Sequence, residues 1–287
     1  MLNIQLALQK AKSNATDRWK QSAAPSPRHT TPVPPIALNS APAPVHALPV
    51  ARPQDANWTS LPVWTPDQRT LDQNRVITLD PSNPACGSFD MLRTKILHAM
   101  RQNGWRTIGI TSPTATCGKS TVSANLAFSF SHQVDCRSVL VDLDLRRPSV
   151  GRTLGMKEMR SIERFLNGET GLNESFVRFG SNLAIAANDR PVTHASELLQ
   201  GTAAKSALGA MQSRLAPDVV IYDLPPMLAF DDVLAFAPEV DCVLIVTAAE
   251  MTTGAEADIC EYELSQRTKV LGVVLNKCRY TPEKYGY

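Results

Sequence analysis

The sequence has no apolar run near the roughly 20 residues that a membrane-spanning helix needs, and no basic stretch leading into an apolar one near its start. The expectation is a cytoplasmic protein without a signal peptide, with no direct membrane span. Charge of one sign is also scarce. The 29 basic and 27 acidic residues leave a formal net charge of +2, which removes the electrostatic reason to expect nucleic acid as a partner. Cysteine occurs at positions 86, 117, 136, 242, 260 and 278, never with CxxC spacing. That pattern points away from a zinc site or a disulfide framework and towards buried free thiols in a reducing compartment. What the chain does have is a 43% hydrophobic share over 287 residues, enough for one core-bearing domain with an extension, or two small domains.

Residues 1–20 place Ile4, Leu8 and Ala11 at helical spacing, followed by Lys10, Lys12, Arg18 and Lys20, and predict a short amphipathic helix. Residues 21–75 are rich in proline and alanine, and 11 of the 21 prolines lie before residue 70. Such a stretch removes backbone donors and offers little core, so it is expected to be a disordered linker, with Trp58 and Trp64 pinning its end to the domain. The folded domain is expected over 76–278. Phe89, Leu92, Ile96, Leu97 and Met100 form one stripe of a helix that Gly104 caps. Strands are expected at 107–112, 138–144, 183–187, 218–224, 242–248 and 270–277, with helices at 118–132, 195–214 and 254–267. Most of the strands are continuous apolar runs, as in a sheet buried on both faces. The fold class is α/β, a doubly wound, mostly parallel sheet.

Three segments carry the chemistry. TIGITSPTATCGKST runs from a strand through a tight loop into a helix, an arrangement that offers unpaired N–H groups and a helix dipole to an anion. Thr116, Cys117, Gly118, Lys119, Ser120 and Thr121 would cradle phosphates, with Lys119 reaching the β- and γ-phosphates and the Ser120 hydroxyl ligating Mg. Pro113 stands where the first glycine of the full pattern belongs. In SVLVDLDLRRP, Asp142 and Asp144 lie two residues apart at a strand end and face the same way. Such a pair suits Mg or an attacking hydroxyl. Arg146 and Arg147 are either phosphate neutralisers or surface residues. In DVVIYDLPP, Asp223 closes an apolar strand where the acid that holds Mg sits beside a phosphate loop, and Pro225 and Pro226 are expected to stop the strand. Asn276 and Lys277 end the last strand, where contacts to a base are expected.

These segments resemble the bacterial tyrosine kinases of capsule and exopolysaccharide synthesis, the CpsD/CapB/Wzc-like group within the MinD/ParA class of P-loop ATPases. The similarity covers roughly Asp80 to the C-terminus. Thr114 occupies the place where MinD and ParA proteins usually carry an extra lysine, which favours the kinase branch. The resemblance implies ATP and Mg as cofactors, with Lys119, Asp142 and Asp144 catalytic. Ser120, Asp144 and Asp223 would hold the metal. Asp142 would orient or deprotonate the attacking tyrosine hydroxyl. The acceptors would be Tyr280, Tyr285 and Tyr287 in a tail over 279–287, which holds three of the chain's five tyrosines. A membrane-embedded activator resembling a chain-length determinant would recruit the protein to the inner face of the plasma membrane. A homo-oligomer is implied too, although the family's E-x-x-R-x-x-R assembly motif reads Gly87, Asp90 and Arg93 here. The alternatives are a MinD/ParA-like ATPase switch and a non-catalytic adaptor of a polysaccharide export machine.

Overall fold

In the computed structural model, residues 55–80, 82–83, 85–157 and 160–278 are described. The expected helix over 1–20, most of the expected linker and the tail tyrosines Tyr280, Tyr285 and Tyr287 lie outside them.

Helices α1 (Asp55–Ser60), α2 (Gln68–Gln73) and α3 (Cys86–Asn103) precede β1 (Thr107–Ser112). Then come α4 (Lys119–Ser131), β2 (Ser138–Asp142), three short helices α5 (Val150–Leu154), α6 (Ile162–Leu166) and α7 (Leu172–Ser175), and β3 (Val177–Phe179). The chain continues through β4 (Leu183–Ala186), α8 (Ala195–Gln200), α9 (Thr202–Leu215), β5 (Val219–Pro226) and α10 (Asp232–Phe236). It closes with β6 (Cys242–Ala248), α11 (Gly254–Ser265) and β7 (Lys269–Asn276).

The seven strands form one sheet in the order β3-β4-β2-β5-β1-β6-β7. All pairs are parallel except β3 with β4. Alternation along the strands divides the core in two. Val139 and Val141 pack on one side of β2 with Trp58, Phe165 and Met211. Leu140 packs on the other with Ile96, Met100, Phe128 and Phe130. The interior strands are therefore mostly apolar because each of their faces is covered by helices. Gly104 ends α3 with φ 70°, the left-handed cap that its place after the apolar stripe implies.

Three expectations need correction, and one strand was not anticipated. The folded unit starts at α1 rather than at residue 76. Trp58 is 2% exposed, and its indole N–H donates to the Leu215 carbonyl at 2.6 Å; one well-placed tryptophan anchors a stretch whose composition reads as linker. The helix expected over 195–214 is two helices, because Gly201 is extended (φ −62°, ψ 145°) between them. Strand β5 does not stop before its prolines: it runs through Pro226, which pairs with Ser112. Proline lacks only the N–H, and the Pro225 carbonyl still accepts from Thr111 Oγ1 at 2.7 Å. Strand β3 had no signal, being three residues with one arginine among them.

Candidate functional site

Strand β1 delivers the chain to a loop over 113–118, and α4 starts at once behind it. Gly118 is the N-cap with φ 89°, and Thr116 is also left-handed at φ 65°. These two turns fold the loop back over the helix start, where the first N–H groups have no intrahelical partner. A Cβ at Gly118 would lie 2.4 Å from Asn276 Nδ2, so glycine is required by both conformation and space. Asn276 in turn donates to the Cys117 carbonyl at 2.9 Å. The end of β7 thus braces the loop from the base side. Cys117 is fully buried while Thr116 is exposed.

The acids meet the loop as the topology demands. Strand β5 lies between β1 and β2, and Asp142, the last residue of β2, is the register partner of Asp223 in the C-terminal half of β5. Lys119 Nζ sits 2.7 Å from Asp144 Oδ2 and 3.5 Å from Asp223 Oδ2. Ser120 Oγ donates to Asp223 Oδ2 at 2.5 Å. The structure therefore gathers Lys119, Ser120, Asp142, Asp144 and Asp223 into one cluster, with the Lys119 ammonium on carboxylates. Asp142 has no open face: Ser149 and Val150 donate their N–H groups to its Oδ2 at 3.0 and 2.9 Å.

Two members of this cluster escaped the sequence reading. Ser123 Oγ donates to Asp223 Oδ1 at 2.9 Å; it stands three residues after Ser120, one helical turn on, and that spacing was the available signal. Ser149 Oγ donates to Ser120 Oγ at 2.6 Å, and no local pattern marks it. Arg146 is committed elsewhere, holding Asp232 through two hydrogen bonds of 2.7 and 3.2 Å. Arg147 is exposed.

Burial and mutual repulsion set the electrostatics. Burial, and then the charge of Asp223, push the Asp142 carboxyl well above the usual carboxylate range. Burial raises Asp223 as well, against the opposing pull of Lys119 and the Ser120 hydroxyl. For Lys119, burial works against the charge, but Asp223 and Asp144 outweigh it and hold the ammonium above its ordinary value. Among the described residues no three His, Cys, Asp or Glu side chains form a closed metal site. Magnesium does not need one, since it binds through one or two carboxylates and substrate phosphates while keeping waters. The hard oxygens of Ser120 and Asp223, with Asp144 beside them, fit that ion.

Next to the loop lies a cleft of about 920 Å³, whose lining includes Gly118, Thr121, Met251, Asn276 and Lys277. Asn276 and Lys277, at the end of β7, both line this cleft. On α3, Arg93 is spent internally, on Asp90 Oδ1 and the Ser129 carbonyl, both at 2.7 Å. No helix among the described residues is long and apolar enough to cross a membrane.

A family model, ParA, described as NUBPL iron-transfer P-loop NTPase, matches residues 105–286. EpsB of Ralstonia nicotianae is 30% identical over 209 residues, covering 72% of this chain and 27% of its own length. The chain thus spans about a quarter of that relative. The tyrosine-protein kinase YwqD of Bacillus subtilis is 25% identical over 220 residues, covering 76% of this chain and 92% of YwqD. Among solved structures, the kinase domain of the Escherichia coli tyrosine kinase ETK superposes with a TM-score of 0.63 at 27% identity, over 74% of this chain and 84% of that domain. The resemblance read from the three segments extends to these named kinases.

Proposed function

We propose that this chain, which belongs to the ParA family of P-loop NTPases, is an ATP-dependent protein-tyrosine autokinase of exopolysaccharide or capsule synthesis. The observation that carries the reading is the in-register pair Asp142 and Asp223, set against Lys119 and Ser120 at the start of α4. A cation, a hydroxyl and strand-end carboxylates at one helix N-terminus are what phosphoryl transfer requires. The kinase branch is supported by YwqD and the ETK domain.

The residues divide the work as follows. The loop N–H groups and Lys119 hold the ATP phosphates, for which Lys119 leaves Asp144. Ser120 and Asp223 would hold Mg, with Asp144, released from Lys119, in support, and the ion would neutralise phosphate charge. The tyrosine oxygen forms a bond to the γ-phosphorus as the bond to the ADP oxygen breaks, and the phenolic proton passes to Asp142. Asp142 takes that role once the start of α5 withdraws the Ser149 and Val150 N–H groups from its Oδ2. Thr116, Cys117, Gly118 and Thr121 shape the cradle, and Asn276 borders the base. Tyr280, Tyr285 and Tyr287 are the acceptors.

A membrane-embedded activator resembling a chain-length determinant would recruit the protein to the inner face of the plasma membrane. Assembly into a homo-oligomer would bring the tail of one copy to the site of another. Incubation with ATP and Mg, alone and with the activator's cytoplasmic segment, should produce phosphotyrosine that Lys119→Met abolishes. ATP hydrolysis and dimerisation without phosphotyrosine would instead support an ATPase switch. Failure to bind ATP would leave a non-catalytic adaptor.

A further inference from the structure

The nucleotide cleft has a wall that none of the loop or strand-end residues supplies. Its lining includes Arg75 and Ile77, from the segment between α2 and α3. That segment has no sheet partner to hold it. Besides backbone bonds back to α2 and the Cys86 thiol on the Ile77 carbonyl, it is tied to α4 by one side chain, Asn125, which is 1% exposed.

Asn125 uses all of its hydrogen-bonding capacity. Its Oδ1 accepts from the backbone N–H groups of Ile77 at 2.8 Å and Thr78 at 3.1 Å. Its Nδ2 donates to the carbonyls of Arg75 at 2.9 Å and Thr121 at 2.8 Å. The Thr78 hydroxyl adds a bond to the Asn125 carbonyl at 2.7 Å. Arg75 is left-handed at φ 60°, a conformation that a non-glycine residue adopts only when its surroundings hold it there. Thr121, at the other end of the network, lines the same cleft in the first turn of α4. One carboxamide therefore ties the cleft wall to the phosphate-binding helix.

We propose that residues 75–78, pinned to α4 by Asn125, form a wall of the nucleoside end of the nucleotide site, with Arg75 as its contacting group. The proposal rests on the nucleotide reading given above. Asn125 is a positioning residue: it reaches the ligand only through Arg75 and Ile77. A guanidinium at such a wall can lie against the face of a purine. Asn125 meets the cradle only at the Thr121 carbonyl, and the partners of Lys119 and Ser120 are the acids and Ser149, so loss of the wall should weaken binding of a nucleoside phosphate and spare binding of phosphate alone.

Isothermal titration of the full chain with ADP and with inorganic tripolyphosphate, each with Mg, separates the two ends. Asn125→Ala, which loses several buried hydrogen bonds, should weaken ADP binding about tenfold while tripolyphosphate stays within about twofold of the parent. Arg75→Asn removes the guanidinium at a position where asparagine accepts positive φ, and should weaken ADP selectively with an unchanged melting temperature. If Asn125→Ala does not fold, the Arg75 variant decides alone. Equal loss for both ligands, or no loss for ADP, overturns the proposal while leaving nucleotide binding intact. A parent chain that binds neither ligand overturns the nucleotide reading itself, and this proposal with it.

Discussion

Lys119 offers a test that needs no substrate. In the free protein its ammonium is buried among Asp144 at 2.7 Å, Asp223 at 3.5 Å and the nearby Asp142. Lys119→Met removes the one cation the cluster holds and leaves Asp142 and Asp223, both fully buried, without it. Breaking a buried pair by deleting one partner costs about 3–5 kcal/mol, because the remaining charge is uncompensated. For a folded unit of this size a loss of about 3 kcal/mol lowers the melting temperature by about 6–12 °C. The sign with pH follows. Lys119 lowers the Asp142 and Asp223 pKa values, so its removal raises them further. Carboxylates with raised folded pKa values destabilise the fold above those values and cease to do so as they take up protons. The deficit should therefore be largest near pH 8 and shrink as pH falls towards the ordinary carboxylate value of 3.8. Thermal and urea unfolding in EDTA, followed by tryptophan fluorescence, reads this directly. A variant as stable as the parent across that range would refute the buried cluster, since a lysine extended into an open loop costs nothing to remove.

Asp142→Asn replaces a carboxyl that burial and Asp223 keep raised; it should melt higher than the parent at pH 8, with the advantage disappearing as the parent's Asp142 is protonated at lower pH. Gly118→Ala puts a methyl group 2.4 Å from Asn276 Nδ2 at φ 89°. It should lose measurable ATP binding in calorimetry and destabilise the fold by about 1 kcal/mol or more. Trp58→Ala empties a site that is 2% exposed and should cost about 3–5 kcal/mol in urea unfolding; a loss below about 1 kcal/mol would restore the domain start at residue 76.

The parts of the fold legible in the sequence are those where one physical requirement dominates. Strands buried on both faces read as apolar runs, so five of the seven strands are found close to their ends; the edge strand β7, where only Val274 is buried, is found because its run is apolar all the same. Asp142 and Asp223 were visible because an acid closing such a run has few other places to go. What sequence could not reveal depends on distant partners. Trp58 was expected as a pin, but its partner at the end of α9 was not legible, and Ser149 matters only because the chain turns back to Asp142 and Ser120. Asn125 reads as an ordinary polar residue in a helix until the segment before α3 is laid across it. Lys119 was expected on phosphates, and its rest position on Asp144 follows from three carboxylates sharing a buried corner.

The central claim is phosphoryl transfer to the chain's own tail, and a phosphosite map tests it most directly. Purified full-length protein incubated with ATP and Mg, with and without the activator segment, should carry phosphate on Tyr280, Tyr285 or Tyr287 by mass spectrometry. Lys119→Met and Asp223→Asn should carry none under the same conditions. Bound and hydrolysed ATP with unmodified tail tyrosines in every condition would contradict the kinase account and leave an ATPase.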